Sequence, residues 1–147
     1  MEHLEYPTID QWEARRKWFE AHIFHYEELG SYLVGEQASA LISEVQACFC
    51  AGAWVAVIIL SFAVIEANLQ ETSGSSKRLR AVELLKEQGF TAAFDQLRQR
   101  RNTLIHTNPD RPAITIDQQW DDRPALETEA RDAVGLMFQA FYSQVGT

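Results

Sequence analysis

A chain of 147 residues with 46% hydrophobic and 23% charged side chains is about one soluble globular domain, large enough to bury a substantial core. Its 7 glycines and 4 prolines are too few for a turn-rich β fold and favour long helices. A net charge of −8 excludes general attraction of nucleic acid to the whole surface.

The N-terminal stretch MEHLEYPTIDQWEARRKW has no early apolar core, so no signal peptide is expected and the chain is assigned to the cytoplasm. Thr8 followed by Gln11 has capping-box spacing. It opens a first helix with apolar residues at Trp12, Trp18, Phe19, Ile23 and Tyr26, running to about Leu29 and breaking near GSYLVG. His22 and His25 in that helix are spaced i, i+3, but no companion carboxylate site accompanies them. They are read as packed or exposed side chains, and no metal or other cofactor is expected.

A long second helix is expected from about Glu36 to Gln70. It contains the uncharged run Ala47–Ile65, whose 19 residues make about 28 Å of helix. The first half of this run is mostly Ala, Cys and Gly, and its flanks are acidic (Glu44, Glu66, Glu71). It is therefore read as a helix buried on all sides rather than a membrane span. Cys48 and Cys50 point about 200° apart on such a helix, cannot bridge each other, and are expected to be small buried residues.

The polar ETSGSSK segment reads as a flexible loop. A short third helix follows over about Lys77–Gln88, stopped by Gly89. Thr91 caps a fourth helix with Phe94, Leu97, Leu104 and Ile105 facing inward. It must end by Asn108, because Pro109 disfavours helical geometry there and has no N–H to donate. Residues 109–121 read as a connector with AITI extended. Pro124 suits the first turn of a final helix to about Ser143, with Leu126, Ala130, Val134, Met137, Phe138 and Phe141 inward. The whole chain, 1–147, is expected to be one all-α domain, an up-and-down bundle of about five helices around the Glu36–Gln70 helix.

The charge is unevenly spread. From Lys77 to Arg111 there are eight Lys or Arg against four acids, a local +4 that leaves −12 on the rest of the chain. Within this island lies LRQRRNTLIHTNPDRP. Cations at a helix C-terminus complement the backbone dipole, and that alone accounts for Arg98 and Arg100, either as solvated charges or as the lining of an RNA path. Lys77, Arg78 and Arg80 follow a loop and read as surface charge. Arg101, Asn102 and His106 are a more pointed combination. Asn102 and His106 are four apart and share a helical face, while Arg101 lies about 140° from His106. Arginine grips phosphate in a bidentate fork, and histidine exchanges a proton near neutral pH. Together they supply what metal-free RNA cleavage requires.

RNTLIH resembles the R-x-x-x-x-H signature, in its RN-x-x-x-H form, of HEPN domains (higher eukaryotes and prokaryotes nucleotide-binding). The context agrees: a late helix in a small all-α chain, broken at once by HTNP and preceded by a long apolar helix ending in IEANLQ. The resemblance covers roughly Glu36 to Phe141. It implies a helical bundle that pairs by two-fold symmetry, with two motifs meeting in one cleft as a metal-independent endoribonuclease. On that basis Arg101 neutralises the scissile phosphate, His106 transfers protons, and Asn102 orients them or contacts the phosphate. Glu66 is a supporting candidate that orients Arg101 or His106 across the bundle; an acid emerging into solvent at a helix end is the plainer reading. The implied partners are an RNA substrate, a second copy of the chain and, in a toxin or defence setting, an antitoxin. One position departs from the family. Members controlled by a nucleotidyltransferase antitoxin carry a modifiable tyrosine two residues after the histidine, where this chain has Asn108. Two alternatives stay open: a catalytically inactive module that binds RNA, nucleotide or protein, and a structural helical protein.

Overall fold

The computed structural model describes residues 6–146. Among them are seven helices: α1 (Ile9–Leu29), α2 (Glu36–Ala51), α3 (Trp54–Thr72), α4 (Ala81–Glu87), α5 (Ala92–Ile105), α6 (Ile116–Asp121) and α7 (Arg123–Phe141). The described part of the chain is an all-α helical bundle without strands; only an isolated antiparallel bridge joins Tyr32 to Val145. Its centre is α3, which packs most extensively on α2 and α7 and also meets α4 and α5.

The long second helix expected over Glu36–Gln70 is two helices. Gly52 terminates α2 in the left-handed region (φ 80°), its N–H bonding back to Cys48 and Phe49 carbonyls, and α3 restarts at Trp54. The two halves fold back on each other. Asn68 and Glu71, at the far end of α3, reach the start of α2, where Glu71 accepts from the Gln37 and Ala38 N–H groups and Asn68 from that of Gly35. A carboxylate at a helix N-terminus satisfies orphan donors and suits the dipole. At the opposite end, carbonyls closing α2 are met by two arginines: Arg15 donates to Cys50 and lies over the Trp54 ring, and Arg123 donates to Gly52.

Breaking the apolar run in this way gives both halves a face to bury. Val45 and Phe49 of α2 and Val57, Ile58, Phe62, Ile65 and Leu69 of α3 are all completely buried. At about 1.5–3 kcal/mol for each large side chain, this shared interior dominates the stabilising side of folding. α3 is one helix long and apolar enough to cross a membrane. In the bundle it is the element the other helices cover.

The remaining elements differ from the expected ones in detail. The Thr8–Gln11 capping box forms in both directions, and α1 ends at Leu29. Trp12 is more exposed than its place in the pattern implied, and only Phe19 of the apolar positions in α1 is fully buried, against Phe49 and Phe138. The third helix begins at Ala81 rather than Lys77. The expected extended AITI segment is overturned in part: Thr115 caps α6, and its side chain and that of Gln118 form a second capping box. The split at Gly52 and this added helix turn the expected five into seven. In α7 every residue expected inward is buried. In α5, Phe94 and Leu97 are buried and Leu104 packs partly on the core, but Ile105 is 48% exposed because the helix has reached its end. Cys48 is half-buried and Cys50 buried, both as free thiols whose pKa burial pushes up.

Candidate active site

The candidate residues are carried by α5 and the end of α3. Thr91 enters α5 as its N-cap in extended geometry but without the side-chain cap bond expected of it, and Asp95 in the first turn suits the positive end of the dipole. The helix stops at Ile105. His106 is its C-cap, with extended dihedrals (φ −112°, ψ 112°) and its N–H bonded to the Asn102 carbonyl at 3.0 Å. Beyond it the Asn108 side chain accepts from the Asp110 N–H and its carbonyl from that of Arg111, so the segment after the histidine is a fixed turn. The helical face expected to be shared by Asn102 and His106 is therefore lost at its second member, whose backbone has left the helix.

Arg101 is held from three sides. Its guanidinium lies 4.6 Å from the centre of the Phe62 ring, its Nε donates to Asn102 Oδ1 at 2.9 Å, and Nη1 is 3.8 Å from Glu66 Oε1. The side chain is 16% exposed, against 34% for Glu66. A separation of 3.8 Å is an ion pair without a hydrogen bond. Glu66 therefore biases the position of Arg101 while leaving terminal N–H groups of the fork without a tight carboxylate partner.

A groove of about 460 Å³ opens beside this cluster, lined by Glu66, Arg78, Arg80, Arg98, Arg101 and Asn102 among others. Four guanidinium groups against one carboxylate make its wall strongly cationic within an acidic protein. Three of the four are partly compensated, Arg101 by Glu66 and the other two by acids outside the lining. Arg98 Nε donates to Asp95 at 2.8 Å, a bond that holds the Asp95 carboxyl below its usual range, and Arg80 pairs with Glu83. Arg78 is exposed and has no ion pair among the described residues.

The structure thus brings Glu66, Arg101 and Asn102 together and sets Arg98 on the same groove. It does not bring in Arg100 or His106. Arg100 turns to the other side of α5, where it pairs with Glu129 of α7 and donates to the Ala113 carbonyl at 2.8 Å, tying α5 to α7 and to the segment before α6. Those bonds give it a structural task in place of the RNA path proposed for it. His106 is exposed, its imidazole makes no hydrogen bond among the described residues, and it does not line the groove. Arg78 and Arg80, read from sequence as surface charge, are the lining residues that reading overlooked. The signal that reading did not use is their place on either side of Leu79, an apolar residue that packs partly on the core.

The two histidines of α1 stay clear of this site. His22 stacks on Phe138 and meets Trp18 edge-on, while His25 is exposed. Comparison of the chain with family models, with characterised proteins and with solved structures gave no match.

Proposed function

We propose that this protein is a HEPN-type, metal-independent endoribonuclease whose working cleft is completed by a second copy of the chain. The observation that carries the reading is Arg101. It is an arginine fixed by a ring face, an amide and a distant carboxylate at the wall of a cationic groove, on the helix that ends in an exposed, unbonded histidine.

In the proposed reaction His106 takes the proton of an RNA 2′-hydroxyl. The 2′-oxygen bonds to the neighbouring phosphorus and the bond from phosphorus to the 5′-oxygen breaks. The departing 5′-oxygen gains a proton from a general acid, for which His106 of the partner subunit is the candidate. The products are a 2′,3′-cyclic phosphate and a 5′-hydroxyl. Arg101 stabilises the charge that builds on the phosphoryl oxygens, the kind of contribution whose removal costs about 10²–10³ in rate. Asn102 and Glu66 position Arg101. His106 does not line the groove of its own protomer, so the reading requires a second copy of the chain to bring a histidine to Arg101; without one, the same geometry favours a structural helical protein. The reading places the protein in the cytoplasm, as a toxin or defence nuclease for which an antitoxin is the fitting partner.

The test is cleavage of RNA in EDTA by the purified protein, with sedimentation run at the same concentrations. Wild type is expected to cut as a dimer and His106→Ala to be inactive. Equal cutting by His106→Ala, or a strict monomer at micromolar concentration that still cuts, overturns the composite mechanism.

A second reading draws on the −8 net charge and on Glu66 beside Arg101, both of which oppose an approaching polyanion. It makes the protein an inactive RNA- or nucleotide-binding module of the same fold. RNA binding that depends on Arg101, without turnover, would select it.

A further inference from the structure

The segment between α3 and α4, expected to be a polar, flexible loop, is a loop that carries hydrogen bonds of its own. The Ser73 hydroxyl donates to the Gln70 carbonyl, the Ser75 N–H donates to the Ser73 hydroxyl, and Ser75 both accepts from the Lys77 N–H and donates to its carbonyl. The stronger tie is the Gln70 side chain. Its amide oxygen accepts from the Leu79 N–H at 2.7 Å and its amide nitrogen donates to the Lys77 carbonyl at 3.0 Å. Leu79 then packs partly against the core, and the residues on either side of it, Arg78 and Arg80, line the groove that holds Arg101 and Arg98. Gln70 lies one helical turn beyond Glu66 on α3, so a single helix carries both the acid beside Arg101 and the side chain that holds the connector.

Two exposed arginines on a hydrogen-bonded connector line the same groove as Arg101. Around the groove Arg101, Arg98 and Arg80 each have a carboxylate within 4.0 Å (Glu66, Asp95 and Glu83), whereas exposed Arg78 has no ion pair among the described residues, so the wall keeps an excess positive charge that an entering anion would offset. RNA carries a phosphate at every nucleotide, so a strand whose scissile phosphate lies on Arg101 brings a neighbouring phosphate with it.

We propose that Arg78, with Arg80 and Arg98 beside it, forms a second phosphate subsite that grips the RNA backbone next to the scissile phosphate, and that Gln70 is the positioning residue that fixes it. This rests on the ribonuclease reading and adds a substrate requirement: the enzyme prefers a strand with a flanking phosphate, largely independent of base sequence.

The experiment uses the full chain with three probes: a cleavable hexanucleotide, a dinucleotide with a single phosphate, and a hexanucleotide made uncleavable by 2′-O-methylation. Each phosphate contact on a single strand contributes about 0.7 to the slope of log affinity against log salt. Arg78→Gln with Arg80→Gln is therefore expected to flatten that slope by about 1.4 on the uncleavable strand. The same variant is expected to raise KM for the cleavable hexanucleotide by about tenfold or more, with kcat and all dinucleotide kinetics unchanged. Gln70→Ala is expected to raise the hexanucleotide KM by about threefold without lowering kcat, because the arginines remain but are less well held. An unchanged slope and KM in the double variant, or an equal loss on the dinucleotide, overturns the subsite. If wild type cuts no RNA, the ribonuclease reading fails, and the salt slope on the uncleavable strand still decides whether Arg78 and Arg80 grip phosphate. Arg78→Gln alone, at an exposed side chain, keeps the slope measurable should the double variant fail to fold.

Discussion

Arg101→Ala separates a catalytic arginine from a structural one, because the two roles predict losses of different size. On the structural side, the guanidinium stacks on Phe62 at 4.6 Å with 16% of the side chain exposed, and its contact with Glu66 is 3.8 Å long with the acid 34% exposed. A cation–ring contact in that setting is worth about 1 kcal/mol and a half-exposed ion pair at most about 1 kcal/mol, so the variant should lose about 1–2 kcal/mol of stability. A domain of this kind is typically stable by about 5–15 kcal/mol, so it stays folded. On the catalytic side, losing the fork at the developing phosphoryl charge should lower kcat about 10²–10³-fold. Arg101→Lys sharpens the contrast. It retains the charge and much of the stability but not the bidentate geometry, and should still lose most of the activity. Urea unfolding read alongside hexanucleotide cleavage in EDTA measures both quantities on one preparation. Less than about a tenfold fall in kcat/KM for Arg101→Ala, or a stability loss above about 4 kcal/mol, would refute the assignment of this side chain to catalysis.

Three further predictions concern the frame. Gly52→Ala puts a Cβ on a residue with φ of 80° and is expected to cost about 1–2 kcal/mol, read as a lower urea midpoint; no loss would mean that the α2–α3 turn is not set by this residue. Asn68→Leu removes a fully buried amide that accepts from the Gly35 N–H at 2.7 Å and donates to the last carbonyls of α7. A loss of about 2–4 kcal/mol is expected in the same assay, and a change under about 1 kcal/mol would show the tie to be dispensable. His22 has its pKa lowered, chiefly by burial and secondarily by His25. Below its unfolded value of about 6.5 the unfolded chain therefore binds the proton more readily, and stability falls as pH drops from about 6.5 through the folded pKa. His22→Phe should flatten that part of the stability profile between pH 7.5 and 5, and an unchanged acid slope would contradict it.

Much of the frame was legible because local signals and tertiary packing agreed. The Thr8–Gln11 box, the Pro124 start of α7 and its evenly spaced apolar face all appear where the sequence pattern put them. The same Thr-x-x-Gln spacing at Thr115 and Gln118 went unread, although its physics is identical, because AITI has the look of a strand. The fates of Arg98 and Arg100 were also partly readable. Residues two apart point about 200° away from each other on a helix, so both cannot line one groove, whereas Arg98 and Arg101, three apart, share a face. The placement of His106 was harder to foresee. Pro109 required a stop by Asn108, but the helix ends at Ile105, and the difference swings the histidine out of the helical lattice.

The sequence by itself determined that the described chain is all-helical, where α1 and α7 lie, and which three residues stand out at the end of α5. These are consequences of periodicity, caps and proline, which act over one or two turns. Only the tertiary structure decided that the apolar run folds back at Gly52, because an uninterrupted buried helix and a helical hairpin write the same local pattern. The hairpin prevails where α2 and α3 can bury each other and where Asn68 and Glu71 meet the start of α2. Only the tertiary structure, too, set Glu66 and Phe62 against Arg101 and placed Arg78 and Arg80 on the same groove. Those contacts join residues far apart in the chain through the packing of α3 on α5 and the hydrogen bonds of Gln70, at separations where local sequence pattern carries no information.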